Sequence, residues 1–341
     1  MQLSTANLKF FFTGLETRFW QAYKVAPTWH QQLASIYPVG TEQWVSGWIG
    51  MLNKMREWTG PRIVREPAPQ TYLVPMQAFE LTWGIDKFKL EDDQHGIYTA
   101  EFEHHGTQNA KWPDYQIRDL IFNTGSQTGA RQIGTDGLTN WNTAHPVNPY
   151  DAGFGTYSND YRGGFDVDGN TVGGALSVNG FNTVWADMAI RKSDNGEALG
   201  LVPDLLVVSP INKMSAATIL NSQFIAAPQL GSLGTGAVGT ANGPMVGATE
   251  NPLKGWTDTL VVPDFSITTA ISQMWLMLQT KNMPVRPLSW LLRKAPVLVP
   301  RTDPTDPVVF DTHQFVYGSE ARGAPAWALP FLGSISGPTS V

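Results

Sequence analysis

The sequence predicts an α+β chain, on three observations. Apolar residues near the start recur at helical spacing. Much of the stretch from 46 to 84 reads as strand, with apolar and polar residues alternating at its end. Between 182 and 224 a short apolar run lies between two helical patterns, the grammar of an α/β layer. The 341 residues suffice for about two domains.

The elements follow in order. Leu8, Phe11, Phe12, Leu15, Phe19 and Tyr23 make one apolar stripe, with Thr5 placed as its cap. Pro27 and Pro38 then break the pattern, so residues 1 to 46 read as an arm: a helix, then extended chain. The next strands run from Trp48 through Leu52 to Trp58 and the Gly60-Pro61 turn, and resume at Arg62. Phe79, Leu81 and Trp83 alternate with Glu80 and Thr82, giving a strand with one buried face. Lys54, Arg56, Arg62 and Arg65 stud this hairpin. Trp and Arg concentrate at interface hot spots, although a solvated hairpin accounts for exposed charges equally well.

Residues 86 to 125 form the best helical region. Asp92 and Asp93 suit the positive end of a helix dipole, and Gly125 is placed as a stop. Pro113 predicts a kink or a restart. Residues 126 to 181 are rich in glycine and in loops. A helix is expected over 182 to 195, a buried strand at Leu205–Val208 closed by Pro210, and a helix from Lys213 to Phe224. Residues 229 to 250 read as a flexible Gly-rich loop. From 256 to 318 the expectation is strands, at Thr259–Val262, Met274–Leu278, Trp290–Leu292, Val297–Val299, Val308–Phe310 and Phe315–Tyr317.

Composition excludes several classes. With no cysteine there is no disulfide scaffold, iron–sulfur site or thiol nucleophile. No apolar run reaches the ~18 residues of a membrane helix. The start lacks the basic-then-apolar build of a signal peptide, so synthesis in the cytoplasm is expected. A net charge of −6 is a poor basis for wrapping nucleic acid. Charged residues are 15% of the chain, below the roughly 25% of ordinary soluble domains, and Trp numbers 13. Both point to a surface that meets protein.

No catalytic constellation emerges. There is no phosphate loop and no dinucleotide fingerprint. Gly231 to Gly234 lacks nucleophile-elbow spacing. Glu101 with His104 or His105 shares a helix face, yet the pair alone makes no metal site and no H-E-x-x-H is present. Asp136 and His145 flank a polar turn, where Asp, Asn and Gly serve structure as readily as acid–base work. Asp166 and Asp168 miss the spacing of a calcium loop. No cofactor and no metal are expected, and the chain is not expected to be an enzyme.

Five stretches, in order, carry a family resemblance. They are Gly47–Gly50 with Arg56–Gly60; Glu91–Tyr98; Asp136-Gly137 with Ala144–Val147; Leu199–Val208; and Val309–Asp311 with Phe315–Gly318 and Ala321–Gly323. Together they resemble the Mu-like phage major head subunit family, a branch of the tailed-phage major capsid proteins with the Hong Kong 97-like fold. The resemblance implies a structural role: hexamers and pentamers of an icosahedral head enclosing double-stranded DNA without sequence-specific binding. It implies an N-terminal arm at 1–46 and an extended β-hairpin loop at 47–84 reaching over a neighbour. A peripheral domain with a long spine helix would occupy 85–181, and an axial domain 182–280. Returning strands and a tail would fill 281–341. Trp48, Arg56, Trp58, Arg62 and Arg65 are the expected subunit contacts. Implied partners are further copies of the chain, a scaffold protein, a portal and a decoration protein, with no membrane. The implied location is the virion capsid, assembled in the host cytoplasm. An encapsulin-type nanocompartment of the same fold is the alternative; a soluble α/β enzyme using Asp136 and His145 is a third reading.

Overall fold

The computed structural model describes residues 5–49, 69–91, 96–149, 151–163, 174–226, 248–303 and 306–338. The chain forms two compact units. The first comprises Met1–Gly50, Ile63–Gly137 and Leu288–Ala328; the second comprises Met51–Arg62, Leu138–Pro287 and Leu329–Val341.

The first unit is built on a four-stranded sheet. Ala34–Pro38 lies parallel to Leu288–Arg301, which runs antiparallel to Gln314–Trp327, which runs antiparallel to Gln77–Asp86. The register of the central pair slips between Lys294 and Val297. Pro296 sits in that gap and has no N–H to give a ladder.

Two helices cover one face of this sheet. The first runs over Thr5–Val25 and the long helix over Ile97–Phe122. Phe12, Phe19, Phe102, Phe315 and Tyr317 are buried between helices and strands. Their rings meet edge to face: Phe12 on Phe315 at 5.1 Å, and Phe102 on Tyr317 at 4.6 Å. Such contacts add roughly 0.5–1.5 kcal/mol each beyond burial. Gly106 allows the helices to close. A Cβ there would stand 2.4 Å from the Phe19 carbonyl oxygen.

The long helix runs unbroken through Pro113, so the expected restart does not occur. Packing overrides the local preference. Pro113 is buried, and Trp112 beside it meets Trp290 of the sheet at 4.8 Å. The next residue, Asp114, is fully buried. Its carboxylate accepts from the His30 backbone N–H at 2.9 Å and pairs with His30 Nδ1 at 2.6 Å. The helix stops at Asn123, in the left-handed conformation with φ 56°. Gly125 follows at φ 58°, a left-handed conformation that glycine adopts without strain, and a Cβ there would press on the Asp119 carboxylate at 2.4 Å.

The second unit holds a mixed five-stranded sheet. Its order is Asp258–Val261, Leu205–Val208, Trp275–Leu278, Gly333–Gly337 and Asp160–Arg162. Leu205–Val208 is buried along its whole length, as expected. Leu206, Val208, Trp275 and Met277 alternate onto one face. There they meet Phe181, Val184 and Met188 of the helix Val178–Ala189, and Ala216, Ile219 and Leu220 of the helix Lys213–Leu220.

Several expectations are corrected. Val308–Phe310 is not a strand but part of a helix, Pro307–Thr312. Asp306 accepts from the Val308 N–H at 2.9 Å and Pro307 occupies the first turn, so the cap outweighs the β-branched run. The helix placed at 182 to 195 spans Val178–Ala189, capped by Ser177 accepting from the Gly180 N–H at 3.1 Å. The helix from Lys213 ends at Leu220, and Phe224–Ala226 is a strand.

Candidate assembly surfaces

The hairpin strands Gln43–Ile49 and Pro69–Pro75 pair antiparallel in the first unit. One face of this ribbon is anchored. Tyr72 and Val74 are buried against Val39, Leu291, Ala324 and Ala326, with Trp44 packed beside them and stacked on Tyr37 at 6.0 Å. Burial pushes the Tyr72 phenol up to about 12, although its hydrogen bond to the Trp327 backbone and the Arg131 charge pull the other way. Among the described residues, the opposite face is exposed at its pair of Val45 and Leu73. Val45 and Leu73 are direct cross-strand partners and are 59% and 56% exposed. An apolar pair held outward on an anchored ribbon is a surface suited to a protein partner.

Of the five expected contact residues, Trp48 pairs with Gln70 in this ladder, and its side chain lies outside the described residues. Arg56, Trp58, Arg62 and Arg65 lie outside them too, as do Asp92, Asp93, Asp166 and Asp168. Gln77–Asp86, within the expected loop segment, belongs to the four-stranded sheet.

That sheet has an open stretch on the face away from the helices. Val299, Gly318 and Thr82 form one row across it, and Val297, Glu320 and Glu80 the next. Val297 and Val299 are 42% and 44% exposed. Lys294 pairs with Glu320, which relieves the like charges of Glu320 and Glu80 facing across the strands.

The residues weighed for chemistry take structural places. His145 is fully buried, with Nε2 2.8 Å from the Asn140 carbonyl oxygen and its ring stacked on Tyr157 at 5.3 Å. Asp136 belongs to the first unit and His145 to the second. His104 is exposed whereas His105 is buried, so the two do not share one face with Glu101.

A polar hub in the second unit was invisible in the sequence. Arg191 is 3% exposed. Its guanidinium donates to the carbonyls of Ser158 at 2.8 Å, Phe331 at 2.9 Å and Gly333 at 3.2 Å, to Ser334 Oγ at 2.6 Å and to Asp187 at 3.2 Å. Tyr161 donates to the same Asp187 carboxylate. Burial raises the Tyr161 phenol far above its ordinary range, against the pull of Arg191. All five bonds come from the two terminal nitrogens, Nη1 and Nη2, which the planar guanidinium holds in a fixed fork that an ammonium lacks. The partners lie up to 143 residues away in sequence, so no local spacing announces them.

These two units, with the hairpin ribbon and the long helix, define an α+β chain of the Hong Kong 97-like fold. The solved procapsid of bacteriophage JBD30 shares it, at a TM-score of 0.52 and 19% identity, covering 98% of this chain and 76% of that one. The chain belongs to the family described as the Mu-like prophage major head subunit gpT, whose model matches residues 8–172, 169–232 and 249–336. The major capsid protein of Escherichia phage Mu is 29% identical over 159 residues, 47% of this chain and 50% of that protein. The Mu-like prophage FluMu major head subunit of Haemophilus influenzae is 25% identical over 141 residues, 41% of this chain and 44% of that protein. The chain thus spans about half the length of the curated relatives it matches.

Proposed function

We propose that this chain is the major capsid protein of a tailed double-stranded DNA phage. It self-assembles into the hexamers and pentamers of an icosahedral head that encloses the genome. The observation that carries this reading is the family match, which runs from residue 8 to residue 336 with one gap. The first unit serves as the peripheral domain, with the helix Ile97–Phe122 as its spine, and the second as the axial domain. The basic, Trp-bearing stretch with Trp48, Arg56, Trp58, Arg62 and Arg65 reaches a neighbouring copy. A shell subunit needs several different contacts from one chain, which arms and loops supply better than one flat patch. The role is structural, with no turnover. A scaffold protein, a portal and a decoration protein complete the set of partners, in a virion assembled in the host cytoplasm. The match to the head-subunit family favours this reading over an encapsulin-type compartment.

Electron microscopy of the purified protein, alone and with a scaffold, tests it. Closed icosahedral shells, or rings of five and six, are expected; a monomer under all conditions would overturn it. A second variant tests the loop. Because Pro69–Pro75 and Gln77–Asp86 hold the first unit together, the deletion must be confined to 51–67. A folded subunit that builds no shells is expected, and normal shells would refute the loop's role.

A further inference from the structure

One ionisable group in the first unit is buried with half of its hydrogen-bonding capacity unused. His105 lies on the long helix and is 5% exposed. Its Nε2 is 3.2 Å from Ser319 Oγ. Ser319 donates its single hydrogen to the Leu81 carbonyl, 3.2 Å away. Its oxygen therefore accepts, and Nε2 carries the ring proton. Nδ1 is left as a bare lone pair, buried with no hydrogen-bond partner.

The other side of the ring meets the first helix. Phe19 contacts it edge to face at 5.4 Å. One residue further on is Gly106, the point of closest approach, where Phe19 and Ala22 press on the long helix. His105 therefore sits at the crossing of two helices. Protonating Nδ1 would place a charge and a second N–H there with no acceptor, and an unpaired buried charge is strongly disfavoured.

The neighbouring charges do not relieve this. On its own helix stand His104, Glu101 and Glu103, all exposed. From the first helix come Glu16, Arg18 and Tyr23; Arg18 lies 3.7 Å from Glu103. From the sheet comes Tyr317, whose buried hydroxyl has no hydrogen-bond partner of its own. Burial holds the imidazole below the ordinary histidine value; the Leu81 backbone opposes this and His104 adds to it.

We propose that His105 makes the docking of the helix Thr5–Val25 onto the long helix sensitive to pH. Neutral, it seals the crossing; protonated, it releases the arm. The sign follows from linkage. The released state binds the proton more readily, so docking is at full strength above about pH 6.5. It weakens as the pH falls below that value, towards the docked-state pKa.

The test is hydrogen exchange of residues 5–25 in the full chain, with labelling times corrected for pH, between about pH 7.5 and about pH 5. The wild type is expected to lose protection in this helix on acidification. The His105→Gln variant, whose amide still donates to Ser319, is expected to hold its protection unchanged. A wild-type helix equally protected throughout, or a variant that loses protection in parallel, would overturn the proposal. Exchange of the His105 C2 hydrogen gives its titration in the wild type directly, even if the variant fails to fold. A midpoint at or above that of an ordinary histidine would also overturn it.

Discussion

Gly106→Ala sets two effects of known sign against each other. In an open helix the change would stabilise the chain by about 1 kcal/mol, because glycine is the poorer helix former. Here the new Cβ would meet the Phe19 carbonyl oxygen at 2.4 Å, its carbon at 3.1 Å and Ala22 Cβ at 3.3 Å. The first two are backbone atoms and cannot rotate away. The helices must separate by several tenths of an ångström, loosening the ring contacts of Phe19 and Phe12 with it. Overpacking of this kind costs about 1–3 kcal/mol. The clash therefore outweighs the propensity gain, and a net loss of about 1 kcal/mol, and at most about 2 kcal/mol, is expected. Urea unfolding followed by circular dichroism reads it as a lower midpoint with an unchanged slope. A neutral or stabilised variant would refute the close crossing of the two helices.

Three further outcomes are expected. Asp114→Ala strands the donors of Trp29 and His30 in a buried site, and should lower stability by about 3–5 kcal/mol in the same assay. Arg191→Met should cost a similar ~3–5 kcal/mol, since Asp187 and three carbonyls lose their donors; Arg191→Lys should recover little, because an ammonium cannot replace the fork. Leu73→Asp, on the exposed face of the hairpin ribbon, should leave the unfolding free energy within about 0.5 kcal/mol of wild type, as surface changes do; electron microscopy should nonetheless show few shells, and full assembly would remove this face from the interface.

Periodic elements were legible in the sequence where one residue pattern decided them. The stripe through Phe12, Leu15 and Phe19 forms a helix with those three side chains buried. Leu205–Val208 is a fully buried strand. Misreadings arose where two local signals competed. Val308, Val309 and Phe310 favour a strand by side-chain shape, but Asp306 and Pro307 start a helix. Pro113 argues for a break, but the packing of Trp112 and Asp114 on either side carries the helix through. The candidate surfaces divide in the same way. The apolar character of Val45 and Leu73 is plain in the sequence, but their outward direction depends on Trp44, Tyr72 and Val74 packing inward. Arg191 gives no local signal at all, since its partners come together only in the folded unit.

The strand Gly333–Gly337 has a consequence for how the protein is made. It lies inside the second sheet, between Trp275–Leu278 and Asp160–Arg162, and Arg191 is anchored to it through Gly333 and Ser334. A ribosome must therefore release residues more than fifty positions beyond Leu278 before that sheet can close. A chain cut short anywhere before Gly333 keeps an open gap in the middle of the sheet and a stranded guanidinium beside it. Such a fragment cannot complete the second unit, so prematurely terminated products exclude themselves from any assembly that needs it.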